Sequence, residues 1–179
     1  MIHTIQLDRI LQGAVDTPYR DLVTRPTGAA VRRSVETSIS EAHCVTALLD
    51  FSSVGLLDFS CADEVVAQLL LGAKSGEGHV LLMGLSEDQS EAIDHVLRNR
   101  HLVVAVLPHP GETPFLLGAT SPEARNAFRF VHETGPCTVA DLAREMNWDH
   151  FFALAALQEL AGHRLVGVDR DYYRPIPLQ

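Results

Sequence analysis

The chain lacks the features that mark membrane and secreted proteins. None of its apolar runs approaches the ~20 residues that a membrane-spanning helix needs, and its first residues lack the basic and apolar regions of a signal peptide. Its three cysteines, Cys44, Cys61 and Cys137, form neither a CxxC pair nor an even disulfide framework. We therefore expect a cytoplasmic protein that does not enter a membrane and that buries at least two of its thiols.

Motifs of the common enzyme and metal-site classes are also absent. The nine histidines include no HxH or HExxH pair, no glycine-rich phosphate loop connects a strand to a helix, and no GxSxG element occurs. Basic residues are scarce as well, because 14 Lys and Arg stand against 23 Asp and Glu, which gives a formal charge of −9. We expect no catalytic residue, metal or cofactor, and no non-specific binding to nucleic acid.

The sequence does contain a regular alternation of strand and helix patterns. With 46% hydrophobic residues, a chain of 179 residues can bury a proper core. Strands alternating with helices predict an α/β fold with a mainly parallel or mixed sheet and helices packed on it. The predicted strands are residues 2–11, 45–51, 79–85 and 101–107, and the predicted helices are residues 26–39, 60–72 and a third that opens at 86–89.

The stretch from Leu49 to Glu64 changes from strand-like to helix-like chemistry within one short polar turn. Ser60 is followed three residues later by Asp63, which is the spacing of a capping box, so we predict that the helix begins at Ser60. Gly72 would end it.

Residues 49–54 (Leu-Asp-Phe-Ser-Ser-Val) and 62–64 (Ala-Asp-Glu) resemble the signature of the bacterial STAS-like domain family of unknown function. Residues 22–30, which contain Arg-x-x-Gly, extend this resemblance, which covers about residues 15–107. Cys61 stands where that family usually has Phe. The resemblance implies a fold similar to the anti-sigma-factor antagonists and a partner of the kinase or anti-sigma ATPase type.

In those antagonists a serine at the start of the helix after the central strand is phosphorylated, and the resemblance places Ser60 at that position. We predict an acidic partner-binding surface made of Asp58, Ser60, Asp63 and Glu64. In the alternative interpretation, Ser60 is only a helix cap. Asp63 and Glu64 are neighbours on a helix and point about 100° apart, so we do not expect them to face one ligand.

Three prolines and a glycine within residues 108–114 interrupt the pattern, so we predict a linker at 108–120 between a domain of residues 1–107 and a second of 121–179. The second domain is predicted to contain three helices and a hairpin. The first two helices open at Ser121 and at Thr138–Asp141. Residues 130–143 and 157–166 resemble the winged-helix superfamily, which contains a helix-turn-helix.

That resemblance implies an alternative function, DNA binding through the third helix of the second domain. The candidate contacts are His150, Gln158, Arg164, Arg170 and Arg174. We do not favour it, because the third helix contains no Arg or Lys. The sequence therefore predicts a regulatory protein that binds a protein partner through its STAS-like domain. A transcription regulator and a small-molecule-binding module stay open as alternatives, as does a homodimer.

Overall fold

The computed structural model describes residues 2–15, 20–43, 45–73 and 78–178. Its strands are β1 (Ile2–Gln6), β2 (Thr46–Asp50), β3 (His79–Met83), β4 (Val103–Leu107), β5 (Phe115–Gly118), β6 (Gly167–Asp169) and β7 (Tyr172–Arg174). Its helices are α1 (Leu7–Val15), α2 (Arg25–Ala42), α3 (Phe59–Cys61), a π-helical segment (Ala62–Ala67), α4 (Gln68–Ala73), α5 (Glu87–Asn99), α6 (Pro122–Thr134), α7 (Val139–Met146) and α8 (His150–Gly162).

The first five strands form one sheet in chain order. β1 to β4 run parallel to one another, and β5 is antiparallel to β4. The predicted α/β fold with a mixed sheet is confirmed. Within the described residues, no helix combines the length and the apolar character needed to cross a membrane.

The two faces of the sheet are covered by different helices. Leu49, Leu82 and Val104 belong to a core that includes α1, α2, α5 and the π-helical segment. Leu48 and Leu81, each one residue earlier in its strand, point to the opposite face of the sheet and share a core with α6, α7 and α8. The molecule therefore has three layers, with the sheet between two helical layers.

The predicted first strand, residues 2–11, is too long. β1 ends at Gln6, and α1 continues directly from it. Leu7 and Leu11 are fully buried one helical turn apart while Arg9 between them is exposed, whereas a strand would place all three residues on one face of the sheet. The sequence also predicts a turn at residues 13–17 and an extended piece at residues 19–23, and both fall partly outside the described residues. Gly13 lies inside α1, and Leu22 forms an isolated bridge with Leu57.

The predicted linker, residues 108–120, is wrong in its second half. Phe115–Gly118 is strand β5 of the main sheet, which pairs with β4 from Val106 to Val103. Its Leu116 is buried in the core shared with α6 and α8. The hydrophobic core on this face therefore spans the predicted domain boundary.

The segment after β5 has the predicted order of three helices and a hairpin. Ser121 caps α6, and Thr138 with Asp141 forms the expected capping box of α7. β6 and β7 pair in an antiparallel hairpin, and Tyr173 of β7 also bridges Cys137. The assignment of this layout to the winged-helix superfamily stays a prediction.

Candidate functional site

The loop that leads from β2 to α3 is fastened from several sides. The Phe51 amide donates to the carbonyl of Met83, at the end of the neighbouring strand. The side-chain amide of Gln89, a buried residue of α5, donates to the carbonyls of Val54 and Gly55. Buried hydrogen bonds of this kind hold the loop in one conformation. The loop that leads into α3 is therefore held in a fixed conformation.

Asp58, and not Ser60, caps this helix. The Asp58 Oδ1 atom accepts from the Cys61 amide at 2.7 Å, and Ser60 donates its hydroxyl to the same oxygen at 2.7 Å. The prediction that Ser60 forms a capping box with Asp63 is therefore wrong. Aspartate caps as well as serine does, and Asp58 stands at the first position where the chain can turn into the helix.

The Asp58 carboxylate also ties α3 to the start of α2. Its Oδ2 atom accepts from the Thr24 amide at 2.9 Å. Burial alone would raise the pKa of Asp58, but the hydrogen bonds from Thr24, Cys61 and Ser60 outweigh it and hold this pKa below its usual value. The carboxylate thus stays charged at neutral pH and joins two helix starts.

Thr24 itself has a φ of 72°, which a β-branched residue rarely adopts. Cys61 donates its Sγ proton to the Thr24 carbonyl at 3.0 Å. Together with the bond from the Thr24 amide to Asp58, this contact fixes the strained residue on both sides. Burial raises the pKa of Cys61 to about 12, so this thiol is not a nucleophile at neutral pH.

Asp63 and Glu64 are not part of an open acidic surface, which corrects the sequence interpretation. Asp63 is buried, with 6% of its surface exposed, and accepts from Arg25 at 3.0 Å and from Arg100 at 2.9 Å. Glu64 accepts from Arg25 at 2.7 Å and lies 3.6 Å from Arg32. The arginines neutralise both carboxylates.

Both carboxylates contact the Arg25 guanidinium, and the chain is π-helical from Ala62 to Ala67. The expectation that these neighbours do not face one partner is wrong here, because Arg25 pairs with both. Gly28 of α2 makes the close approach possible. A Cβ atom at Gly28 would lie 3.0 Å from the Glu64 Cβ and 3.1 Å from the Cys61 Cα.

Two large apolar side chains are exposed beside Ser60, and the sequence interpretation missed them. Leu56 is 68% exposed and Phe59 is 59% exposed. The Phe59 ring lies 5.1 Å from the ring of His95 on α5, and the exposed Glu91 lies one helical turn before His95. We call Leu56, Phe59, Ser60, Glu91 and His95 the Ser60 surface. The sequence does contain a sign of this surface, because the apolar residues Leu56 and Phe59 lie in the short polar stretch between the strand and the helix.

The candidate DNA contacts do not form one basic surface. Arg164 donates to the carbonyl of Ala73 at the end of α4, so it joins the two helical layers instead of facing outwards. Arg174 pairs with Asp169 across the hairpin, and Arg170 is exposed in its turn.

The exposed surface of α8 includes two large apolar side chains. His150 and Gln158 are exposed as predicted, but Phe151 is 77% exposed and Phe152 is 46% exposed on the same helix. A helix that reads DNA needs polar or basic side chains at such positions. DNA binding stays a prediction, and the charge and apolar character of α8 give it little support.

In the part of the chain that the structure describes, no three His, Cys, Asp or Glu side chains are arranged to hold a metal ion. Comparison of the chain with protein families, with curated proteins and with solved structures finds no match. The resemblances to STAS-like and winged-helix proteins are therefore predictions from short motifs. The site is defined by its own geometry, a rigid helix start with an exposed apolar surface around Ser60.

Proposed function

We propose that this chain is a non-catalytic regulatory protein of STAS-like type that binds a protein partner through the Ser60 surface. The observation that carries the proposal is the exposure of Leu56 and Phe59 on a loop and helix start that Asp58 and Gln89 hold rigid. Exposed aromatic residues in a fixed conformation are typical anchors of protein interfaces, because little side-chain freedom is lost on binding.

The chemistry of the surface indicates which partner fits. Its centre is apolar, and the exposed carboxylates of Asp88 and Glu91 on α5 lie at its rim. The chain as a whole carries a formal charge of −9. A partner with an apolar pocket surrounded by basic residues is complementary to this arrangement, and the opposite charges would speed its association.

Phosphorylation of Ser60 would switch this surface. The hydroxyl lies 2.7 Å from Asp58 Oδ1, so a phosphate adds about two negative charges next to a carboxylate that accepts two other hydrogen bonds, from the amides of Thr24 and Cys61. Repulsion would weaken the cap that joins Thr24 to α3 and would shift Phe59. We therefore propose that the modified chain releases its partner.

Affinity capture from the source organism with three forms of the chain tests the proposal. Wild type and Val168→Ser should retain the same partner, and Phe59→Ser should lose it. Val168 is a matched control because it is 56% exposed, close to the 59% of Phe59, but lies on the hairpin. Equal capture by wild type and Phe59→Ser would contradict the proposed surface.

The switch is tested separately with the captured partner. Binding should survive Ser60→Ala, which removes one hydroxyl, and should weaken when Ser60 is replaced by Asp or is phosphorylated. Mass spectrometry of the chain from its native host should find phosphate on Ser60. Ser60 that is unmodified under every growth condition would leave a constitutive binding surface and would refute the switch.

A further inference from the structure

The two edges of the main sheet differ in how their backbone groups are satisfied. At the β5 edge, the Arg125 guanidinium donates to the carbonyls of Leu116 and Gly118. The Gly118 amide donates to Asp94 Oδ1 at 2.7 Å. In β5, Leu116 and Gly118 alternate with Leu117, which lies opposite Val104 of β4. The side chains of Arg125 and Asp94 therefore cover backbone groups of Leu116 and Gly118 that point away from β4. The β5 edge is closed to further strands.

Among the residues that the structure describes, none covers the β1 edge in this way. β1 pairs with β2 over all five residues from Ile2 to Gln6. Among the described residues, no backbone or side-chain group bonds to the other edge of this strand. In a strand, alternate residues direct both backbone groups to the same side, so several donors and acceptors of β1 face outwards with no partner among the described residues.

The sequence of β1 carries none of the usual protections of an edge strand. Ile-His-Thr-Ile-Gln has no Lys, no Pro and no formal charge. Natural proteins commonly place charges or proline on exposed edges to prevent pairing with another chain. One edge of the sheet, β5, is protected, whereas the opposite edge, β1, is not. This difference indicates that β1 pairs with a strand of another chain.

Open grooves flank the strand on both faces of the sheet. One, of about 460 Å³, is lined by His3, Thr4, Arg9 and Ser38 on the side of α1 and α2. The other, of about 1000 Å³, lies on the side of α6 between β1, residues 110–114 and the C-terminal residues 175–178. An added strand can therefore reach β1, and its side chains can fill the grooves.

We infer that β1 pairs antiparallel with β1 of a second copy of this chain, across a two-fold axis at Thr4. In this arrangement Thr4 lies opposite the same residue of the second copy, and His3 lies opposite Ile5. All of these residues lack formal charge, so the pairing avoids the repulsion that two chains of −9 would meet elsewhere.

The area needed for a stable dimer favours a second copy over a short peptide. Five strand residues span about 17 Å, and stable interfaces bury about 800 Å² on each partner. A two-fold axis normal to the sheet would place the helical layers of both copies side by side, so the two grooves of each copy would be covered as well. A single extended peptide would leave the grooves largely open.

Sedimentation or light scattering at micromolar concentration tests this dimer. We expect wild type at twice the single-chain mass of 19.6 kDa and Thr4→Lys at the single-chain mass, because lysines would meet at the axis. Val168→Lys is the matched control, since it places a lysine on an exposed strand away from β1, and it should remain dimeric. Circular dichroism checks that each variant is folded.

A cross-link gives a second readout that does not depend on disrupting the strand. Residues opposite each other in an antiparallel pair have Cα atoms about 4.5–5.5 Å apart, within disulfide range. Thr4→Cys should therefore form a disulfide-linked dimer under mild oxidation, whereas Val168→Cys should not. A wild-type chain that has the mass of a single chain in solution would overturn the inference. So would a wild-type dimer if the Thr4→Lys variant is also dimeric and the Thr4→Cys variant forms no disulfide-linked dimer.

Discussion

Asp58 is the residue on which the candidate site depends. It caps α3 and holds the strained Thr24 with a second hydrogen bond, so its single carboxylate connects two helix starts. The sequence contains this aspartate two residues before the serine that matched the capping-box pattern. Both types of residue cap helices, and only the backbone conformation decides between Asp58 and Ser60. A local pattern therefore located the helix start but not the residue that caps it.

Replacing Asp58 by alanine should lower the free energy of unfolding by about 2–3 kcal/mol, because both the cap and the bond to Thr24 are lost. Asp149→Ala is the matched control, since Asp149 caps α8 through one hydrogen bond to the Phe151 amide. We expect it to cost about 1 kcal/mol. Urea denaturation of both variants measures the difference, and equal losses would show that the bond between Asp58 and Thr24 contributes nothing.

Arg100 stabilises the buried carboxylate of Asp63 through two hydrogen bonds of 2.9 Å. Arg100→Gln should therefore lower the free energy of unfolding by about 1–2 kcal/mol, a value reduced from that of a fully buried pair because the guanidinium is partly exposed. Arg144→Gln, which breaks an exposed pair with Asp141, should leave the unfolding midpoint unchanged. If both variants unfold at the wild-type midpoint, the arginines around Asp63 are not stabilising it.

At the scale of elements, the close approach of α2 to the π-helical segment is the feature that sequence reasoning could not reach. Helical periodicity predicted a regular helix after Ser60, because an α-helix and a π-helix with one wider turn bury similar residues. The prediction of an exposed acidic surface at Asp63 and Glu64 was wrong, because arginines distant in sequence pair with both carboxylates. The strands β2, β3 and β4 were predicted well because both faces of each strand are buried and read as continuous apolar runs.

Gly28→Ala tests this helix contact. Alanine favours a helix over glycine by about 1 kcal/mol, but its Cβ would lie 3.0 Å from Glu64 Cβ and 3.1 Å from the Cys61 Cα. We expect a net loss of stability. Gly13→Ala is the control, because Gly13 also lies in a helix and has nothing within 4 Å of the added Cβ. It should raise the thermal midpoint, and a rise in both variants would contradict the close approach.

In the whole molecule, the core on one face of the sheet is shared between the parts that the sequence predicted as separate domains. The proline cluster at 108–114 does break the chain, but the strand after it returns to the sheet. Leu81 and Leu116 then bury themselves against α6 and α8. Turn residues indicate where an element ends and carry no information on whether the next element packs against the same core.

A fragment of residues 1–120 should therefore aggregate. It would expose the apolar face of the sheet that α6, α7 and α8 cover, and exposed apolar faces of this extent cause association. Size-exclusion chromatography of the fragment and the full chain measures the outcome. A fragment that elutes as a defined species and unfolds cooperatively would instead establish the two independent domains predicted from sequence.

Two partly buried histidines should make stability depend on pH. The ring of His79 donates to the Arg164 carbonyl, and His132 accepts from the Ile176 amide at 3.1 Å. Burial lowers the pKa of both rings. The unfolded chain, with histidine pKa values near 6.5, then binds more protons than the folded chain as pH falls below that value, so stability is lost between about pH 6.5 and the lower folded pKa.

Thermal midpoints at pH 7.5 and 5.5 measure this dependence. We expect a lower midpoint at pH 5.5 and a smaller difference for His132→Gln, which cannot be protonated. His150→Gln, which changes an exposed histidine, is the matched control and should keep the wild-type difference. If His132→Gln also keeps the full difference, protonation of His132 does not destabilise the fold.

We propose that a protein partner docks on Leu56 and Phe59 next to Ser60. The most direct measurement is the dissociation constant of the captured partner for wild type, Phe59→Ser and Val168→Ser by titration calorimetry. We expect Phe59→Ser to bind about 30-fold more weakly, which is the loss of an aromatic anchor worth about 2 kcal/mol, and Val168→Ser to bind like wild type. Equal dissociation constants for all three proteins would contradict it.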